Sequence, residues 1–189
     1  TSNIKNLDLY ALHLSKNPFS IKASVDINAS GSNLNDVLGN IDIKDLNIMA
    51  KDTSFKINEM HMISRNVIDG GKELKIWSEL GDFQLNGSYD FNELLPMVVG
   101  IIKSNYPSLT KNLNVQSKPT KSAQKMEFQI ALNDSKHFLK LAGMNNVRFS
   151  KLDMKGKLNS YENEISLAAS IPGLTFGNDS LINTQVLVS

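Results

Sequence analysis

The stretch FSIKASVDINASG, residues 19 to 31, alternates apolar and polar residues without a slip. Phe19, Ile21, Ala23, Val25, Ile27 and Ala29 fall on one side, and Ser20, Lys22, Ser24, Asp26, Asn28 and Ser30 on the other. Successive side chains of a strand point to opposite faces, so this pattern predicts a long strand with one apolar and one hydrated side. The same period returns in Ile41 and Ile43, then Leu46 and Ile48, with the phase broken at Lys44-Asp45 as a bulge would break it. Phe55 and Ile57 precede Met60 and Met62 across a second break at Asn58-Glu59. A turn at Asp69-Gly70-Gly71 leads into two further runs, and in the second of them Phe83, Leu85, Gly87, Tyr89 and Phe91 alternate. Met126 to Leu132, Leu152 to Leu158 and Ile165 to Ala169 continue the pattern. The chain therefore reads as about ten short strands separated by turns. Residues 54–91 and 147–183 share a rhythm of strands, as β repeats stacked in series would.

The period changes once. In NELLPMVVGIIKSNYPSL, Leu94, Leu95, Met97, Val98, Ile101 and Ile102 follow helical spacing. Asn92 is the expected N-cap, Pro96 sits in the first turn, and Asn105 and Pro107 end the element, giving one short apolar helix near 92–105. About a dozen residues are too few to span a bilayer. Such a helix covers part of a sheet in the ordinary case; the sharper alternative is that it closes the end of a groove or dips into lipid. Residues 114–125 are polar, contain Pro119, and read as a linker or loop. The expected organisation is a β segment over 1–113, the linker, and a second β segment over 126–189 continuous with the first.

Composition narrows the function classes. With 189 residues the chain can bury a core, and 41% hydrophobic content marks a folded rather than a disordered protein. Twenty Lys and Arg against 19 Asp and Glu, with no basic cluster, argue against a nucleic-acid partner. The absence of cysteine excludes disulfides, thiol nucleophiles and thiolate-bound metals. The opening TSNIKNLDLYALHL carries no signal-peptide pattern and reads as a boundary inside a longer protein. No apolar run reaches the roughly 18 residues of a membrane-spanning helix.

Catalytic chemistry has little to stand on. His13, His61 and His137 are isolated in sequence. His61 and Glu59 could share a strand face as a two-ligand metal site, although a solvated strand position is the plainer reading. Asp42 and Asp45 alternate with apolar residues and would line a wet face, and no phosphate loop, dinucleotide fingerprint or nucleophile elbow appears. The expectation is no enzyme, no cofactor and no metal.

What covers the apolar faces is then the question. A closed β-sandwich would bury them against one another. A transmembrane barrel would turn them to lipid, but 7% aromatics with one Trp leave no girdles. A long curved sheet would leave an apolar groove. The order SGSNLNDVLGNIDIKDLNI, FKINEMHMIS, then KELKIWSELGDFQLNGSYDFNELLPMVVGIIKSNYPSL resembles the AsmA/TamB family of envelope proteins of diderm bacteria. Leu34 to Ile48, Leu74 to Ser78, Leu85 to Tyr89 and Leu94 to Pro107 stand where that family places its Gly-x-Leu-x-Gly stretch, its paired strands and its short helix. KLDMKGKLNSYENEISLAASIPGLTFGNDSLIN also resembles its repeats.

The resemblance implies a mainly β fold, an elongated, curved antiparallel-type sheet forming a taco-like groove. It implies an interior segment of a periplasmic protein anchored in the inner membrane, which carries phospholipid acyl chains toward the outer membrane. It further implies outer-membrane assembly proteins as partners. The expected groove lining is Phe19, Ile21, Val25, Ile27, Ile41, Ile43, Ile48, Phe55, Ile57, Phe83 and Leu85. The rival is a closed structural or adhesive sandwich of the cell surface with no lipid bound, and an enzyme with a scattered site stands third.

Overall fold

A computed structural model describes residues 2–8, 19–33, 35–50, 53–68, 70–94, 97, 123–133 and 147–188. Eleven strands are described: β1 (Ser2–Asp8), β2 (Phe19–Ser30), β3 (Leu38–Ala50), β4 (Thr53–Asn66), β5 (Lys72–Ser78), β6 (Gly81–Ser88), β7 (Lys125–Leu132), β8 (Val147–Phe149), β9 (Leu152–Asn159), β10 (Glu164–Phe176) and β11 (Asp179–Val188). All belong to one open antiparallel sheet in the order β1-β2-β3-β4-β5-β6-β7-β9-β10-β11, with β8 pairing the end of β10 that β9 does not reach. The fold is mainly β, as the alternation predicts. No second sheet faces the first among the described residues.

Both breaks in the alternation are resolved by local geometry. Between the pairs Lys22↔Asn47 and Ser24↔Lys44 the register slips by one, so Asp45 and Leu46 together face Ala23. Asp45 takes a left-handed φ of 50°, and its carboxylate lies 3.4 Å from Lys56 Nζ. A bulge of this kind inserts one residue and turns the following side chain back to the original face. Ile43 and Leu46 thereby stay on one side. Opposite, Asn58 and Glu59 donate their backbone N–H groups to the Glu79 carboxylate, where β5 has already ended. The Asn58 donation, foremost, holds the Glu79 carboxyl below the usual carboxylate range.

Turns are set by residues that tolerate positive φ. Gly70, at φ 78°, lies in the β4–β5 connection, where Val67 N–H donates to Gly71 O. Gly177, at φ 61°, supplies the tight β10–β11 turn. Asn86-Gly87, a hairpin-type dipeptide, instead lies inside β6. The small-residue run SLAAS and the apolar stretch after it are one strand, β10.

The helix starts earlier than its sequence suggests. Phe91–Leu94 and Met97 are helical, and Asp90, not Asn92, caps them. Asp90 Oδ1 accepts the Asn92 N–H at 2.8 Å and its carbonyl accepts the Leu94 N–H at 3.0 Å. Asp90 wins because its short carboxylate reaches the second helical amide, which is the geometry an N-cap requires. The other helical positions expected up to 105 and the linker positions 114–122 lie outside the described residues.

The helical residues settle on the sheet. Leu74, Leu85, Tyr89, Met97, Met126 and Leu158 form one buried cluster, with Phe91 and Leu94 packed against it. A second cluster of Ala23, Val25, Leu46, Phe55 and Ile57 lies where β2, β3 and β4 extend past β5. A polar latch ties the first cluster together. Asn35 Nδ2 donates to Asp90 Oδ1 and Asn35 Oδ1 accepts the Phe91 N–H. Gln124, 1% exposed, accepts the Asp90 N–H at 3.2 Å and donates to Glu93 Oε2, while its backbone exchanges hydrogen bonds with Ser160. Burial raises the pKa of the Tyr89 hydroxyl to about 12, so this ring stays neutral beneath the Lys72 ammonium 4.7 Å from its centre. Replacing Gln124 by Met leaves the half-buried Asp90 amide unpaired and is expected to cost about 1–3 kcal/mol. Hydrogen exchange checks it: protection at the Asp90 amide falls while that of the β3–β4 amides is unchanged.

Candidate functional site: the apolar face of the sheet

Antiparallel register decides which apolar residues meet. Ile27, Ile41, Met62, Ile76, Phe83, Ile130, Met154, Ala169 and Val186 are successive cross-strand partners from β2 to β11. No polar residue interrupts this stripe. At the usual ~4.8 Å between strands it runs about 38 Å across the sheet. Its inner members are half-buried and its ends open, Ile27 at 58% and Val186 at 40% exposure. Flanking rungs thicken it: Val25, Ile43 and Met60 on one side, and Leu74, Leu85 and Phe128 on the other.

The expected lining residues fall within this face. Ile21, Ile48 and Phe55 share a rung, Val25 pairs Ile43, Ile27 pairs Ile41, and Ile57 opposes Leu46. Phe83 and Leu85 lie on the adjoining rungs of β6. They do not form one patch of equal depth. Val25, Phe55, Ile57 and Leu85 are buried, while Ile21, Ile41, Ile43, Ile48 and Phe83 are half-buried. Phe19 opens β2 opposite Ala50, and its side chain lies outside the described residues, as do His13 and His137. Sequence reasoning missed Met62, Ile76, Ile130, Met154 and Val186 as the stripe's continuation. All but Val186 sit in alternating runs, and only the register places the five in line with Ile27.

The opposite face is polar and carries the ion pairs. His61 Nδ1 lies 2.6 Å from Asp42 Oδ1, and Nε2 lies 3.8 Å from Glu59 Oε2. His61 also stacks on Trp77, with ring centres 5.1 Å apart. Asp42 orients the imidazole here, and no group of three His, Asp or Glu suited to a metal occurs among the described residues. Glu73 is buried between Lys75, at 2.9 Å, and Arg65. The Lys75 hydrogen bond, then that of Arg65, holds the Glu73 carboxyl below its usual range. A depressed carboxyl stabilises the fold above its unfolded value near 4.5 and loses that contribution as pH falls through the folded value. Glu73→Gln is therefore expected to lower the urea midpoint at pH 7, with the gap to the native chain closing below pH 4.5.

Among the described residues, cavities of about 850, 450 and 370 Å3 open on this polar face. The first is floored by two rungs, Trp77–Asp82–Ala131–Asp153–Ser170–Gln185 and Lys75–Gln84–Gln129–Lys155–Ala168–Leu187. In a flat sheet β5 and β11 would stand about 24 Å apart. That both line one cavity means the sheet curls toward its polar side over these strands.

No helix among the described residues is long and apolar enough to cross a membrane. Comparison of this chain with protein-family models, with curated proteins and with solved structures returned no match.

Proposed function

We propose that the apolar stripe shields phospholipid acyl chains, and that the chain is a segment of a bridge-like periplasmic protein. In this reading it serves lipid transport between inner and outer membrane and supports outer-membrane assembly, and it needs no catalytic group. The observation that carries the reading is the stripe itself: nine cross-strand partners in a row without a polar interruption. An isolated core needs no such continuity across the sheet, whereas a sliding acyl chain does. Each CH2 kept from water contributes about 0.8 kcal/mol, so one polar rung would act as a barrier. The open ends at Ile27 and Val186 favour continuation of the path rather than closure.

Native mass spectrometry of the purified chain, followed by solvent extraction, tests the proposal. Phospholipid is expected to co-purify, and Ile27→Glu, at an exposed position, to reduce it without changing the melting temperature. A chain free of lipid that also leaves a fluorescent phospholipid in its vesicles would overturn the reading in favour of a structural domain.

A further inference from the structure

The polar face carries a second site on the reverse of the apolar stripe, whose Ile76, Phe83, Ile130, Met154 and Ala169 also border its first cavity. That cavity holds about 850 Å3 and adjoins the 370 Å3 one through Gln129, Lys155, Ala168 and Leu187. That one meets the third through Glu127, Lys157 and Ser166. The three form a trough along the strands, spanning four rungs, or about 20 Å. Small side chains, Ala131, Ala168 and Ser170, are among the residues that line it.

Trp77 stands at one wall, 37% exposed. His61 on β4 stacks against one side of the indole at an interplanar angle of 20°, and Asp42 fixes that imidazole. Asp82, the cross-strand partner on β6, lies on the other side. The indole thus lies between His61 and Asp82, with Trp77 and Asp82 both lining the trough. Such an aromatic plane packs the C–H face of a pyranose ring while nearby amides and carboxylates take its hydroxyls. Gln84, Gln129, Gln185, Asp82 and Asp153 supply that polar set. Charge argues against a polyanion: Lys75 pairs with Glu73 and Lys157 with Glu127, and acids line the trough alongside the lysines.

We propose that this trough binds an uncharged oligosaccharide chain, with Trp77 as its stacking platform. Trp77 is the single tryptophan of the chain, so its emission reports on the site directly. Titration with cellohexaose and with chitohexaose is expected to give a saturable change with at least one of them, with a dissociation constant on the order of millimolar. Ala131→Arg, which fills the floor, should abolish it. Trp77→Leu, followed by NMR, should weaken binding about tenfold. Should Ala131→Arg fail to fold, Ser170→Tyr blocks the same floor from an exposed position. Ile27→Glu on the opposite face should leave sugar binding unchanged, so the fates of the two sites can be told apart. No saturable response to either sugar, or binding that survives a blocked floor, would overturn the proposal. So would a Trp77 response to phosphatidylethanolamine–phosphatidylglycerol vesicles in place of the sugars.

Discussion

Gly87→Ala is expected to destabilise the chain by about 3 kcal/mol, lowering the melting temperature by about 6–12 °C. Gly87 lies inside β6 at φ 130°, a conformation L side chains rarely adopt. A Cβ there would stand 2.1 Å from the Lys125 carbonyl oxygen and 2.8 Å from Met126 Cα. Both obstacles are backbone of β7, so no rotamer change relieves them. The register Gly87↔Met126 must open or shift, and with it the packing of Met126 on Leu158 beside the helix. Gly70→Asn is the control. Its φ of 78° suits Asn, and nothing lies within 4 Å of the added Cβ. Thermal melts followed by circular dichroism compare the two, and a Gly87→Ala chain as stable as the control would sink the account of the β6–β7 contact.

Ile130→Asp should abolish phospholipid retention, whereas Ile130→Leu should keep it. Ile130 lies mid-stripe between Phe83 and Met154 and is half-buried. A carboxylate there places a charge in the path of an acyl chain, and a charge without a partner in apolar surroundings is strongly disfavoured. The leucine variant keeps apolar character and volume, so it separates polarity from shape. Lipid extracted from equal amounts of folded protein is the readout, with folding checked by far-ultraviolet circular dichroism. Equal lipid in native and Asp chains would mean that acyl chains do not use this stripe. If the Asp variant does not fold, Val186→Glu interrupts the same stripe at its exposed end on β11.

Phe128 lies over Gly156, its cross-strand partner, and a Cβ on Gly156 would meet the ring at 2.5 Å. Gly87, in the Leu85–Tyr89 segment, is the other such glycine. Both glycines sit on the apolar face, where neighbours crowd the backbone.

Alternation alone determined the fold class and most of the strands, because a period of two is a property of each strand by itself. It even located the breaks at Lys44-Asp45 and Asn58-Glu59, since two adjacent polar residues violate that period locally. It also separated an apolar from a polar side within each run, while the bulge at Asp45 is what keeps the runs before and after it on one face. Other features depend on residues far apart in the chain. Asp90 rather than Asn92 became the cap because only the folded turn sets which carboxylate reaches the Asn92 amide. The stripe from Ile27 to Val186 depends on eight separate registers, and a slip of one residue in any strand would turn its apolar set to the other face. The trough beside Trp77 depends on curvature, which brings β5 and β11 around one cavity. Local sequence carries the period of a strand; register and curvature arise only when all the strands are paired.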